Sequence, residues 1–293
     1  MKKYLFSADV EECLGLLAQP AHQLAQHKGS ARLVAGATDL MLWIREGRVS
    51  PEVLVDVTRI REMRGVAIQG DVLVIGSATT HAEIAADATV KKLFPSLASG
   101  CLSVGSPQIR NIATLAGNIV SAQPAADSVV PMTALGASCE ILSEDGRTVK
   151  PLSALSKAVG ESHVDPTKEI LTKIYIDIPK CRYGTSFKRI APREAMALPV
   201  VNVAVMLKAE GAQIAEARIV VSPVAVVPFR AKETEAFLHG KVPSEELLKQ
   251  AAEMAGNEVS PRDSLQRGSG AYRKMLVKDL VAQALGEASA AFA

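Results

Sequence analysis

Ser106-Pro107-Gln108-Ile109-Arg110-Asn111-Ile112-Ala113-Thr114-Leu115-Ala116-Gly117-Asn118-Ile119, continuing Val120-Ser121-Ala122-Gln123-Pro124-Ala125-Ala126-Asp127-Ser128, is the most informative stretch of this chain. Its centre, Thr114 to Asn118, sets small residues at a tight turn beside side chains that can hydrogen-bond. Small residues let the backbone approach a ligand closely, and successive N–H groups can converge on phosphate oxygens. Thr114 and Asn118 add side-chain donors. A second stretch of the same kind lies upstream. Val34-Ala35-Gly36-Ala37-Thr38-Asp39-Leu40 follows a short apolar run and precedes Met41-Leu42-Trp43-Ile44, and Thr38 is its hydroxyl donor. Two such loops from distant parts of the chain could clamp a pyrophosphate between two lobes through backbone dipoles, with no lysine or arginine required. Taken singly, each reads first as an ordinary structural turn. Neither fits G-x-G-x-x-G or G-x-x-x-x-G-K-[ST], which disfavours the Gly-rich dinucleotide turn and the P-loop.

The chain around these loops has 293 residues, enough for two domains or three small ones. Hydrophobic residues make up 48% and charged residues 22%, ordinary for a globular protein with a sizeable core. Aromatics are only 4%, which argues against base-stacking surfaces. The net charge of +2, with no basic block, leaves no electrostatic footprint for nucleic acid. Lys2 and Lys3 precede Tyr4-Leu5-Phe6, but Ser7-Ala8-Asp9 breaks that run, so no signal peptide is expected. No stretch approaches the roughly 20 apolar residues that span a bilayer. Cys13, Cys101, Cys139 and Cys181 are scattered without a C-x-x-C pair, so zinc and iron–sulfur sites have no ligand spacing here. Reduced thiols in a cytoplasmic protein are the expectation. His22, His27, His81, His163 and His239 show neither metal spacing nor a nucleophile partner, and are expected at the surface or in caps. No catalytic residue and no metal ligand is assigned.

Periodicity divides the chain into three segments. In the first, Asp9 to Leu17 carries Val10, Cys13, Leu14 and Leu17 at helical spacing, with Asp9 and Glu12 as a cap. Ala31–Ala35 and Glu52–Val57 read as strands. The second opens with a hairpin, Val66–Ile68 and Val72–Ile75 about Gln69-Gly70-Asp71. Thr80 starts a helix, and Leu93–Val104 reads as helical apart from Pro95. An apolar run from Ala125 to Leu135 precedes a second hairpin, Ser138–Leu142 and Thr148–Leu152, and an alternating strand at Ile170–Ile178. The third segment has strands at Thr185–Ile190, Val200–Lys208 and Ala217–Val221, then helices at Lys232–Leu238 and Ser244–Ala255. Its last helix carries Tyr272, Leu276, Leu280 and Ala284 on one stripe, flanked by Val277, Val281 and Leu285. Strands followed by helices are an α+β signature. The boundaries fall near residues 60 and 180, and the Ala-rich tail after Gly286 is expected to fray.

The long stretch quoted first resembles the second FAD motif of the medium subunit in the xanthine dehydrogenase and carbon monoxide dehydrogenase family, the molybdenum hydroxylases. That pattern runs Gln-Ile-Arg-Asn, then a Thr-x-Gly-Gly-Asn loop, then Pro-Ala-Ala-Asp. The upstream loop resembles the family's Ala-Gly-Gly-Thr-Asp-Leu. Order and spacing also match. Ile75-Gly76-Ser77-Ala78-Thr79-Thr80-His81-Ala82-Glu83-Ile84, Glu169-Ile170-Leu171, Phe187-Lys188-Arg189, Ser260-Pro261-Arg262-Asp263 and Ala271-Tyr272-Arg273 extend the resemblance over the whole chain. Ala37 and Ala116 stand where the family has glycine. With positive φ such an alanine costs about 1–2 kcal/mol; with negative φ it is harmless.

The resemblance implies an α+β flavoprotein. Its two-lobed, PCMH-type FAD domain would comprise residues 1–60 and 61–180. A C-terminal α+β domain with a three-stranded antiparallel sheet and helices would follow at 181–293. FAD would lie between the lobes on Val34, Ala35, Gly36, Ala37, Thr38, Asp39 and Leu40, and on Thr114, Ala116, Gly117 and Asn118. Asp127 would make a polar contact unless it is a helix cap. Leu171 would pack near the isoalloxazine unless it is plain core. Lys188 would sit at the flavin edge unless it is a solvated strand lysine. Arg110 is expected to hold the loop structurally. The resemblance further implies electron transfer from two [2Fe-2S] clusters on a small iron–sulfur subunit, with a molybdenum cofactor on a large subunit, and allows a dimer of such heterotrimers. The alternatives are a self-contained flavin oxidase or reductase of the vanillyl-alcohol oxidase or peptidoglycan-reductase type, and a flavin-free scaffold. A self-contained enzyme needs its own catalytic acid or base, and none stands out.

Overall fold

The computed structural model describes residues 3–23 and 31–292. Strand β1 (Lys3–Phe6), β2 (Ala31–Val34) and β3 (Val53–Asp56) form a parallel sheet in the order β1-β3-β2. Parallel neighbours need crossovers. Helix α1 (Val10–Gln23) supplies the first, and α2 (Leu40–Arg45) lies in the second. The cap expected before α1 is present: the Glu12 N–H donates to Asp9 Oδ1 at 2.8 Å and the Ala8 N–H to Glu12 Oε2 at 2.6 Å. Val10, Cys13 and Leu17 are buried against Val53, Val55 and Ile60. The helix runs to Gln23, beyond the Leu17 expected from the apolar spacing.

A five-stranded antiparallel sheet follows, in the order β4-β5-β10-β6-β7. It comprises β4 (Val66–Gln69), β5 (Val72–Gly76), β6 (Ser138–Ser143), β7 (Gly146–Pro151) and β10 (Ile170–Asp177). Both expected hairpins are there. The alternating strand β10 takes the centre, with Ile174 opposite Ile75 on one side and Cys139 on the other. A small hairpin of β8 (Ser156–Ala158) and β9 (Glu161–Ser162) lies in the last connection. Six short helices fill the link from β5 to β6: α3 (His81–Ala86), α4 (Ala88–Leu93), α5 (Pro95–Leu102), α6 (Pro107–Arg110), α7 (Leu115–Val120) and α8 (Val129–Leu135). Thr80 and Glu83 make a reciprocal capping box at α3. The helix expected over Leu93–Val104 is broken at Phe94, because Pro95 has no N–H to continue α4 and instead starts α5.

The third segment pairs β11 (Tyr183–Ile190), β12 (Val201–Glu210) and β13 (Gln213–Ser222) as antiparallel neighbours. A two-residue edge strand, β14 (Phe229–Arg230), makes the sheet four-stranded rather than three-stranded. Such a pairing is too short to leave an alternating pattern. Helices α9 (Lys232–Leu238), α10 (Glu245–Glu258) and α11 (Gly270–Ser289) complete the segment. Val201, Val203, Val205 and Leu207 pack with the helical stripe of Leu276, Leu280 and Ala284, all buried, whereas Tyr272 is exposed. On the other face of β12, Ala204 meets Val130 and Ala134 of α8, which joins this sheet to the second segment. Through Phe292 the Ala-rich tail has regular structure where the sequence predicts fraying: α11 continues to Ser289, a 3-10 turn spans Ala290–Phe292, and Ala288 is fully buried. Gly184 explains the close approach, since a methyl there would lie 1.9 Å from the Ala288 carbonyl oxygen. No helix among the described residues is long and apolar enough to cross a membrane.

Candidate functional site

Both loops flank one cavity of about 410 Å³, inside the usual range for small-molecule sites. The first loop leaves β2 at Val34, where the Val57 N–H donates to the Val34 carbonyl at 3.1 Å, and turns into α2. Val34, Leu40 and Leu54 anchor its two ends in a common core, with Ala37 and Trp43 packed against them. Ala37 has φ of 57°, the left-handed conformation that favours glycine. Among the described residues, the N–H groups of Gly36, Ala37, Thr38 and Asp39 donate no hydrogen bond to the rest of the loop's surroundings. Four successive open donors beside a cavity suit an anionic ligand.

The second loop is built differently. Ser106 caps α6, and Arg110 Nη1 donates to the Val104 carbonyl at 2.9 Å, the structural role expected of it. Thr114 caps α7 through its hydroxyl, which accepts from the Gly117 N–H at 3.2 Å. The Leu115 N–H donates to Thr79 O at 3.1 Å, and the Ala116 N–H to Ser77 O at 3.0 Å. Ala116 therefore lies inside a helix at negative φ, and its methyl carries no strain. Asn118 Nδ2 donates to Ser128 Oγ at 2.8 Å. Backbone meets backbone where the loops touch: a methyl on Gly36 would sit 2.0 Å from the Ile112 carbonyl oxygen. Glycine at that position is thus required by contact.

Val34 to Leu40 all line the main cavity, together with Thr114, Gly117, Asn118 and Asp127. Ala116 and Leu171 instead line a smaller cavity of about 90 Å³, and Leu171 is a buried core residue. The two cavities share Val34, Ala35, Thr114 and Gly117. Lys188 lines neither; its Nζ pairs with Glu287 on α11 at 2.6 Å.

Asp127 is not the cap of α8, whose N-cap is Ser128. Its carboxylate is 6% exposed and accepts from Asn202 Nδ2 at 2.8 Å, with Arg189 Nε at 3.4 Å. Burial pushes its pKa up to about 7, against the opposing pull of Arg189 and Asn202. Burial likewise raises Asp39, opposed by a hydrogen bond from Ser121. Arg189 also donates to the carbonyls of Ser103, at 3.3 Å, and Ala197. It thereby fastens the segment holding Met196, Ala197 and Leu198, which lines the cavity from the third segment. The Met196 N–H donates to Gly105 O at 2.9 Å.

Sequence reasoning missed that segment, along with Arg32 and Trp43 on the cavity wall. It also misplaced His81. Expected in a cap or at the surface, His81 is fully buried and lines the cavity. His163 and His239 are exposed; His22's side chain and His27 lie outside the described residues.

Comparison with known proteins identifies the family. Residues 2–180 match the family model of the FAD binding domain in molybdopterin dehydrogenase, and residues 186–288 match the CO dehydrogenase flavoprotein C-terminal domain. The chain is 28% identical to the xanthine dehydrogenase FAD-binding subunit of Escherichia coli O157:H7, over 94% of each protein. It is 30% identical to the glyceraldehyde dehydrogenase medium chain of Sulfolobus acidocaldarius, over 92% of this chain and 94% of that one. The solved carbon monoxide dehydrogenase of Hydrogenophaga pseudoflava, in a form lacking the Mo-pyranopterin moiety, superposes with a TM-score of 0.88 at 26% identity, covering 99% of this chain and 98% of that one. Quinoline 2-oxidoreductase of Pseudomonas putida 86 gives the same score and identity, with 99% and 97% covered. The chain belongs to the family of FAD-binding medium subunits of the molybdenum hydroxylases, the xanthine dehydrogenase and carbon monoxide dehydrogenase family of oxidoreductases.

Proposed function

We propose that this chain is the electron-transfer subunit of a molybdenum hydroxylase complex. It would take electrons from two [2Fe-2S] clusters on a small partner subunit and pass them to a final acceptor. The organic substrate would be oxidised at a molybdenum cofactor on a large partner. The reading rests on the family membership. The observation on this chain that carries it is the run of open N–H groups at Gly36–Asp39, which line one cavity together with Thr114. When bound, FAD supplies the redox centre linking the clusters to the acceptor.

The chain's own residues hold and shield it. Gly36 to Asp39 offer backbone donors to the phosphates, and Thr38, Thr114 and Asn118 offer side-chain groups. Asp127 presents a carboxyl to a polar edge of the cofactor. Val34, Ala35, Leu40 and Ala116 pack about it, and Leu171 packs from the smaller cavity. Lys188, paired with Glu287, would stand at the flavin edge. Residues 1–60 and 61–180 then act as the two lobes, and 181–293 as the domain that closes the cavity through Met196–Leu198.

The test is purification of the tagged chain with its natural partners. A flavin spectrum, FAD released on denaturation in proportion to the chain, and a copurifying molybdenum subunit are expected. Absence of flavin from that complex would overturn the FAD reading. Turnover of an organic substrate by the chain alone would overturn the subunit reading.

A further inference from the structure

His81 opens α3, and its N–H donates to the Ala113 carbonyl at 3.1 Å, one residue before the second loop's Thr114. Thr80 and Thr114 form an isolated bridge at the same place. His81 is 0% exposed and is among the residues lining the main cavity, and neither ring nitrogen has a hydrogen-bond partner among the described residues. A neutral imidazole always carries one N–H donor and one acceptor nitrogen. Native proteins rarely leave such a group buried and unpaired, and where they do, the group asks for an explanation. Burial, reinforced by the nearby Arg110 charge, brings its pKa down to about 4. The ring is therefore uncharged at ordinary pH and can donate without adding positive charge.

The groups around the cavity indicate what would accept that N–H. Open backbone donors at Gly36–Asp39 and the Thr114 hydroxyl share the cavity with His81. A wall rich in donors suits an electron-rich oxygen. We propose that His81 is a third anchor of the cofactor, its imidazole N–H donating to a phosphate oxygen of FAD where the two loops meet. The proposal rests on the FAD reading above. Neither glycine loop contains this residue, and it acts as a side-chain donor locked in place by burial.

The test uses the full chain with the partners that copurify with it, stripped of flavin and titrated with FAD. Wild-type titration is the control: failure of the wild type to bind FAD would overturn the FAD reading and the His81 proposal with it, whereas the variants below test His81 alone. Given wild-type binding, His81→Leu should bind about tenfold more weakly, as loss of one buried neutral hydrogen bond predicts. His81→Gln, which keeps an N–H donor, should stay within about threefold of wild type. A merely structural histidine would lower the melting temperature of both flavin-free variants without the donor-dependent difference. Wild-type protein gives an independent reading should the variants not fold. The His81 ring N–H signal in ¹⁵N-histidine NMR should shift on adding FAD, together with a ³¹P pyrophosphate resonance. Equal affinity of His81→Leu and wild type, or no movement of the ring signal on FAD binding, would overturn the proposal.

Discussion

Both loops carry an alanine beside their glycine, yet Ala37 sits at φ of 57° while Ala116 lies inside α7. The donors differ as sharply. The first loop leaves the N–H groups of Gly36 to Asp39 open, whereas the second commits those of Leu115, Ala116 and Gly117 to Thr79 O, Ser77 O and Thr114 Oγ1. One loop offers backbone and the other offers side chains. Similar small-residue sequences thus take different conformations, because the second loop is hydrogen-bonded to the Ser77–Thr80 segment, whereas the first is held by packing and its N–H groups find no partner among the described residues. The motif alone points to an anion-binding turn without saying which atoms would do the holding.

The largest expected effect breaks the junction between the loops. Gly36→Ala places a methyl 2.0 Å from the Ile112 carbonyl oxygen, a backbone atom that cannot swing aside. Overpacking of this kind costs about 3 kcal/mol or more, and the displaced loop should lose its flavin. Gly117→Ala is the matched control, since its methyl would lie 3.1 Å from Thr114 Oγ1 within a helix that favours alanine. It should change stability by less than about 1 kcal/mol. Chemical denaturation and flavin content of both variants check this. Equal behaviour would mean that the loops are not packed as described.

Asp127 sharpens the comparison from the second loop's side, where the cavity reaches the C-terminal sheet. Its folded pKa, about 7, lies above the ordinary carboxylate value of 3.8. Between those values the folded protein binds more protons at this site than the unfolded chain does. Stability from this group therefore falls as pH rises from about 4 to 7, with a slope of at most about 1.4 kcal/mol per pH unit, and levels off above. Asp127→Asn should flatten that slope in denaturation curves taken across the window. An unchanged slope would show that Asp127 is ionised throughout, held by Arg189 and Asn202.

What could be read from the sequence divides along the same line of local against distant. Hairpins such as Val66–Gly76 and helices such as Lys232–Leu238 are legible because alternation, turn residues and helical spacing are local. Strand β1 is not: Tyr4-Leu5-Phe6 suggests a failed leader, and only parallel pairing with β3, some fifty residues on, makes it a strand. The loops are legible as runs of neighbouring residues. His81, the Asn202 and Arg189 partners of Asp127, and Met196–Leu198 are not, since each comes to the site only through tertiary packing. A histidine at a helix start carries no mark of the Ala113–Thr114 backbone that will bury it.

The smallest effects are the most discriminating, because their signs oppose. At Ala37 the left-handed backbone penalises a Cβ by about 1–2 kcal/mol, and Ala37→Gly removes that strain. The added freedom of glycine in the unfolded chain takes back about 0.4–1 kcal/mol. A net gain of roughly 0.5–1 kcal/mol remains. At Ala116 there is no strain to relieve, and Ala116→Gly within α7 should lose up to about 1 kcal/mol. Paired denaturation midpoints of the two variants measure this directly. Shifts of the same sign would mean that the loops share one backbone conformation, and the division into a backbone-donating and a side-chain-donating loop would fail with it. Opposite signs would also settle how a chain can depart from the family's glycine at both loops. One departure is tolerated at a cost the fold absorbs, and the other is an ordinary helical residue.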